Sequence, residues 1–385
     1  MEGCLLSASG KSRAASRLNH SPLATCHLLV QVDVLVVGLG PAGGAAALAA
    51  AQGGLRVAVV ERRKEIGVPV QCAEFIPLPL ARHAMSEGVL QQRILGMVSH
   101  LPSGRVDKSM SSGLMVDRAA FDQALARQAG ESGASLYLSS RLVDLDSAGS
   151  SAIAATPQGE VRFDYRLLVA ADGPHSFVAR SLGLPRQEMV HARQYTVPLL
   201  EASEETEIWL SPDYPGGYAW LFPKGGVANL GLGVDKGFGA DPKALLDALH
   251  RKLMDEGRVG AAILNRTGGA IPVGGLRRDL VAGNVLFVGD AAGLTHPVTG
   301  AGIAAAVASG ELAGQAAAAW LLERNVNALR LFEEDIRDQF GASLERAVAR
   351  RAWLGQYWGT PAAGDDRVQR RGWVAFPEYF DEDWF

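Results

Sequence analysis

Residues Gly38-Leu39-Gly40-Pro41-Ala42-Gly43 spell a GxGxxG turn, and this feature constrains the fold more than any other. Before it stands the nearly continuous apolar run from Val32 to Val37. Such a run suits a parallel strand buried on both faces. After it, the alanine-rich stretch from Ala42 to Gln52 reads as a helix, and Arg56 to Val60 as a second strand ending in Glu61. The order strand, turn, helix, strand is a βαβ unit. Gly38 permits the tight turn, Gly40 lets the backbone approach a pyrophosphate, and Gly43 lets helix pack closely on strand. The helix N-terminus at Ala42 offers free N–H groups and the positive end of its dipole. An acid in the place of Glu61 can accept from both ribose hydroxyls.

Further along, Asp117 to Gly130 reads as a helix capped by Asp117, and Ser135–Leu138 and Arg141–Leu145 as short strands. Val161 to Ala171 reads as a strand pair leading into Asp172-Gly173. Residues 193 to 234 alternate apolar and polar with turns at Pro212 and at Pro215-Gly216-Gly217, the pattern of an antiparallel meander. Asp241 to Glu256 is helical, Asn284 to Val288 returns to a buried strand, and a long helix spans about 301 to 323. A charged helical tail runs from Ala328 to about Tyr357, and the chain ends in an aromatic, acidic segment.

Composition narrows the partners. Lys plus Arg is 37 and Asp plus Glu 41, a net charge of -4, so no basic field favours nucleic acid. Hydrophobic residues are 48% and charged residues 20% of 385, as in ordinary globular chains. The charge-free stretches 34–55 and 291–310 are broken by glycines and by Pro41 and Pro297, so neither reads as a membrane span. The cysteines, Cys4, Cys26 and Cys72, make no disulfide framework. A cytoplasmic protein is expected, with peripheral attachment to a membrane surface left open. Residues 1–30 carry Lys11, Arg13 and Arg17 against one acid, Glu2, and read as a disordered or targeting-like extension.

Two later elements separate FAD from NAD. Asn284 to Ala292 is an apolar strand ending in Gly289-Asp290, followed by Pro297-Val298-Thr299-Gly300-Ala301-Gly302-Ile303. A simple NAD dehydrogenase needs no second cofactor element there. An extended FAD does: an acid can hold the ribityl chain, and a glycine-rich helix start can bring N–H groups to the flavin edge. Asp172-Gly173 is a third element. The turn, the Asp-Gly pair and the Gly-Asp pair together resemble FAD-dependent hydroxylases and reductases of the aromatic-hydroxylase shape, from about Val32 to Glu323. That resemblance implies FAD contacts at Glu61, Arg118, Asp172 and Asp290, within a candidate cofactor set of Gly38, Gly40, Ala42, Gly43, Glu61, Arg62, Cys72, Arg118, Val143, Asp172, Gly289, Asp290, Gly300, Gly302 and Ile303.

On the substrate side, Tyr218, Trp220 and Phe222 stand at period two and share one strand face. Their segment, Pro215 to Pro223, is similar to the PxxYxWxFP motif of geranylgeranyl reductases. Gly67-Val68-Pro69-Val70-Gln71-Cys72-Ala73-Glu74 resembles that family's Gly-x-Pro-x-x-Cys segment, and the tail Gly372 to Tyr379 also looks familial. The resemblance implies reduction of isolated C=C bonds in polyprenyl chains, with Cys72, Tyr218 and Trp220 as catalytic candidates and Tyr218, Trp220 and Phe222 lining the chain. Cys72 reads first as a site-lining residue and second as a proton donor. His296 reads as a loop-stabilising histidine. No zinc-ligand spacing and no GxSxG nucleophile occurs.

The expected fold class is α/β (α+β overall). A Rossmann-like FAD-binding βαβ domain (31–185 and 270–325) is interleaved with an antiparallel-sheet substrate domain (186–269). Residues 75–115 contribute to the substrate side, and 326–385 form a helical C-terminal region. An isoprenoid-metabolism enzyme acting on CH–CH groups is expected. The rivals are an FAD monooxygenase and, further off, a non-enzymatic prenyl carrier like the Rab escort proteins. With no second GxGxxG after a strand, the electron donor stays open between NADPH and ferredoxin.

Overall fold

A computed structural model describes residues 28–381. The N-terminal extension, with Cys4 and Cys26, lies almost wholly outside the described residues. In chain order the front comprises β1 (Leu28–Val37), α1 (Pro41–Gln52), β2 (Val57–Val60), β3 (Phe75–Pro77), β4 (Leu90–His100), β5 (Val106–Val116) and α2 (Arg118–Glu131). Next come β6 (Ser135–Tyr137), β7 (Arg141–Asp146), β8 (Ser151–Thr156), β9 (Gly159–Ala170), α3 (Phe177–Ser181), β10 (Met189–Pro198), β11 (Glu205–Trp209), β12 (Tyr218–Lys224) and β13 (Val227–Val234). The rear holds α4 (Pro242–Asp255), β14 (Asn265–Pro272), β15 (Val281–Ala282), β16 (Val285–Phe287), α5 (Gly289–Ala292), α6 (Ile303–Leu321), α7 (Ala328–Ile336), α8 (Ala342–Gly355) and α9 (Asp366–Arg371).

One eight-stranded sheet runs β15-β16-β9-β1-β2-β6, with β7 and β8 attached through the first half of β9. Its centre, β16-β9-β1-β2-β6, is parallel throughout. Val34 to Val37, Val57 to Val60 and Leu167 to Ala170 are buried on both faces. Burying each valine or leucine side chain among them contributes about 1.5–3 kcal/mol. α1 and α6 cross at small residues. A Cβ on Gly310 would lie 2.2 Å from the Ala42 carbonyl oxygen, and one on Gly314 2.6 Å from Ala49 Cβ. The second eight-stranded sheet runs β14-β10-β13-β12-β11-β4-β5-β3.

The structure differs from the sequence-based expectation at four places. The first strand is longer than the apolar run Val32 to Val37, because β1 already pairs Leu28 with Val161. The expected strand pair at 161–171 is one twelve-residue strand, β9, whose hairpin partner is β8. The segment 193–234 is not a simple meander: β10 lies against β13 and β14, and β11 pairs in parallel with β4. The tail helix is interrupted by a wide π turn at Arg337–Gly341.

Candidate functional site

Several of the candidates named from the sequence stand at the carboxyl ends of the parallel strands: Gly38 after β1, Glu61 after β2, Asp172 after β9 and Gly289-Asp290 after β16. In open α/β sheets this is where ligands bind. Gly38 has φ +97°, and a Cβ there would lie 2.4 Å from the Ala171 oxygen. A Cβ on Gly43 would lie 1.9 Å from the Gly38 oxygen. Gly40 differs, since a Cβ there meets nothing within 4 Å. Its smallness leaves room above the α1 N-terminus, which no side chain caps. Gly289 sits against Ala42 and binds the second element to the first.

Glu61 is buried. Its Oε2 accepts the Leu39 N–H at 2.7 Å and its Oε1 the Arg63 N–H at 2.8 Å. Each oxygen keeps a further acceptor position. Asp172 Oδ2 accepts from Phe177 and Val178 N–H at 2.6 and 3.1 Å, while its Oδ1 is buried with no partner. Burial pushes the Asp172 carboxyl up. Asp290 is also raised by burial, against the Thr295 hydroxyl at 2.6 Å and the charge of Arg118. Gly300 has φ +69°, and Gly302 opens α6 with no side-chain cap. Ile303 packs in a cluster with Phe121 and Leu125, against which Cys72 lies.

Arg118 is no surface charge. It pairs with Asp122 one turn on, at 3.1 Å, and both are nearly buried. Burial opposes its charge, yet Asp122 and Cys72 hold its pKa above the ordinary arginine value. Cys72 is a half-buried free thiol. Arg62 is exposed. Val143 is 41% exposed, at a β-bulge between Leu142 and Asp144. The contacts of these two do not join them to the other candidates.

The aromatic face forms as expected and gains a residue. Tyr218 lies 5.6 Å from Trp220 and 4.7 Å from Trp373, ring to ring, and Phe222 meets Phe75 at 6.3 Å. Gly231 leaves space for the Trp220 ring, whose Nε1 donates to Gln194 at 3.1 Å. Tyr218 donates its hydroxyl proton to the Thr299 carbonyl at 2.6 Å, so the wall is fastened to the glycine-rich loop. Burial, then Cys72, raises this phenol well above its usual value. His296 belongs to the same loop: its Nδ1 accepts the Thr299 N–H at 3.3 Å, and burial lowers it to about 4.

Sequence reasoning missed Glu74, Gln194, Lys224 and Asn229, which hold the Cys72 turn. Each is a single polar residue within an apolar or motif segment and produces no periodic signal.

The residues fit FAD. The open space at Gly40, two uncapped helix N-termini, the unpartnered buried oxygen of Asp172 and the acceptor capacity of Glu61 suit a long ligand with a pyrophosphate and several hydroxyls. Comparisons agree. Residues 33–170 match the FAD dependent oxidoreductase model, 188–271 the geranylgeranyl reductase catalytic domain, and 240–358 the lycopene cyclase protein model. Digeranylgeranylglycerophospholipid reductase 2 of Methanopyrus kandleri is 33% identical, covering 83% of this chain and 85% of its own. A digeranylgeranylglycerophospholipid reductase of Methanothrix thermoacetophila is 34% identical over 82% and 86%. A geranylgeranyl bacteriochlorophyll reductase-like protein from Thermoplasma acidophilum superposes with TM-score 0.79 and 27% identity, over 89% and 92%. The flavin-dependent halogenase CmlS, 16% identical with TM-score 0.70 over 87% and 67%, shares the fold alone. With relatives of this identity aligned along most of its length, the chain belongs to the geranylgeranyl reductase family of FAD-dependent oxidoreductases.

Proposed function

We propose that this protein saturates isolated C=C bonds of a polyprenyl lipid. The observation that carries this reading is the latch from Tyr218 to Thr299. It fastens the aromatic strand face to the loop expected to meet the flavin, with Cys72 and Arg118 alongside. FAD, when bound, supplies the hydride. An unactivated alkene accepts hydride only if the other carbon receives a proton, and it develops tertiary cation character on the way. Tyr218, Trp220 and Trp373 exclude water from such a chain, and their ring faces favour positive charge. The Tyr218 proton is committed to a backbone carbonyl, so the phenol serves as wall and latch. Cys72 is the proton-bearing candidate of the set. The N–H groups at Gly302 and Ile303 present the positive end of α6 to the reduced cofactor.

The reading extends to the partners. The electron donor is NADPH or ferredoxin. The substrate is drawn from a membrane surface at which the protein docks peripherally. Among the described residues no helix is long and apolar enough to cross a membrane. A monooxygenase reading shares the fold but gives no reason for the Cys72 turn or the familial aromatic motif. The test is anaerobic incubation of the flavin-loaded protein and dithionite with a prenyl diphosphate, a prenyl quinone and a prenyl ether lipid. A saturated product from at least one is expected; none from any would overturn the reading.

A further inference from the structure

Glu74 follows Cys72 by two residues and is 3% exposed. Its backbone is left-handed, φ +72°, a conformation that residues other than glycine hold only where the surroundings impose it. The surroundings are explicit. Its Oε1 accepts the N–H of Arg118 at 2.9 Å. Its Oε2 accepts from Lys224 Nζ at 2.7 Å and Asn229 Nδ2 at 2.8 Å. Its own N–H donates to Cys72 Sγ at 3.2 Å, and its carbonyl accepts the Val116 N–H at 2.9 Å. Neighbouring contacts complete the frame: Gln194 donates to the Cys72 carbonyl at 3.0 Å and Asn229 to the Ala73 carbonyl at 3.2 Å. Every residue of the 72–74 turn is thus held by a side chain of the second sheet. The carboxylate joins the first residue of α2 to strands β12 and β13, while the backbone N–H of the same residue holds the thiol.

The charges come in two pairs, Arg118 with Asp122 and Lys224 with Glu74. Each cation brings its own buried acid, so no unpaired charge is forced on an apolar chain lying nearby. An acid that only secured two strands would have no need to reach the α2 N-terminus as well, from a residue whose own N–H holds the thiol.

We propose that Glu74 is the positioning residue for the Cys72 thiol, fixing it against Arg118 and the aromatic wall, with Lys224 as the counter-charge that keeps the acid in place. The kinetic part of this proposal rests on the prenyl reductase reading; the chemical part does not. Glu74→Gln keeps the shape but turns an acceptor into an amide donor facing two donors, Lys224 and Asn229. Lys224→Met removes the counter-charge from a side chain nearer the surface.

The experiment uses the full-length, flavin-loaded chain in wild-type, Glu74→Gln and Lys224→Met forms. Iodoacetamide alkylation of Cys72 is followed by peptide mass mapping, which separates it from Cys4 and Cys26, and anaerobic turnover is measured in parallel. Both variants should alkylate Cys72 several-fold faster, because the turn loosens. Their kcat should fall about tenfold or more, the scale of small displacements of reacting groups. KM and the visible flavin spectrum should hold. Wild-type alkylation rates in folded, flavin-loaded variants overturn the proposal, whatever happens to kcat. So does a loss carried entirely by KM. If Glu74→Gln does not fold, Lys224→Met decides by the same criteria. If the wild type reduces no prenyl lipid, the function falls while alkylation still decides the positioning.

Discussion

Gly40 and Gly43 stand three positions apart and are glycine for opposite reasons. A side chain at Gly43 would strike the Gly38 oxygen within the protein, whereas one at Gly40 would enter empty space. Gly43→Ala should therefore fail to fold or lose several kcal/mol of stability, roughly the upper range of overpacking. Gly40→Ala should keep the apo-protein's urea midpoint and weaken FAD binding, as read by equilibrium dialysis of flavin. Equal stability losses would contradict the assigned roles. The sequence showed both glycines because a turn motif fixes where each backbone lies. It did not show Glu74, since a lone buried acid looks like any surface acid until its partners 44 to 155 positions away arrive.

His296 gives a pH test at the same scale. Its folded value is lowered to about 4 from 6.5 by burial, so between these values the unfolded chain binds the extra proton. The contribution of His296 to stability is complete above about pH 6.5 and is lost as pH falls toward 4, by about 3 kcal/mol at most. His296→Asn keeps an acceptor for the Thr299 N–H but gains no proton. Urea unfolding of the apo-protein between pH 7 and 4.5 should show the wild type losing the more stability. Parallel curves would refute the assignment. The buried Asp172 and Asp290 act oppositely, since their raised values favour the folded state at lower pH, but they are common to both proteins.

Among the elements, β1 and β12 were readable because local patterns define them: a strand buried on both faces is continuously apolar, and a one-sided aromatic stripe repeats every second residue. The sheet assembled around β12 was not readable. The parallel pairing of β11 with β4 joins residues more than 100 apart, and no local period encodes it. The stripe's weight can be measured. Trp220 is 6% exposed, and Trp220→Ala should cost about 3–5 kcal/mol on unfolding. It should also sharply reduce prenyl turnover while FAD stays bound, since Trp220 contacts Gln194, which holds the Cys72 carbonyl. Unchanged turnover in the folded, flavin-loaded variant would remove the aromatic wall from the account.

For the whole molecule, the sequence indicated a helical C-terminal region but not its purpose. Trp373 and Phe376 pack with Trp220 and Leu210, and Arg351 reaches the Gly216 carbonyl at 2.6 Å, so the tail closes the aromatic side of the site. The docking is distant in sequence and uses aromatics that composition cannot place. The proposed peripheral docking can be tested at this scale. Flotation with anionic liposomes, for the full chain and for one starting at Gln31, should show salt-reversible association of both. Any basic N-terminal contribution is limited to about 1 kcal/mol per cation. Resistance to carbonate extraction would contradict peripheral docking.

The central claim is that one site holds FAD beside an aromatic wall where a prenyl double bond is reduced. An anaerobic single turnover tests it most directly: the dithionite-reduced protein, freed of excess reductant, is mixed with prenyl lipid. The account predicts that the flavin reoxidises without oxygen and that one C=C is saturated per flavin. A flavin that stays reduced until oxygen is admitted, yielding an oxygenated product, would contradict it.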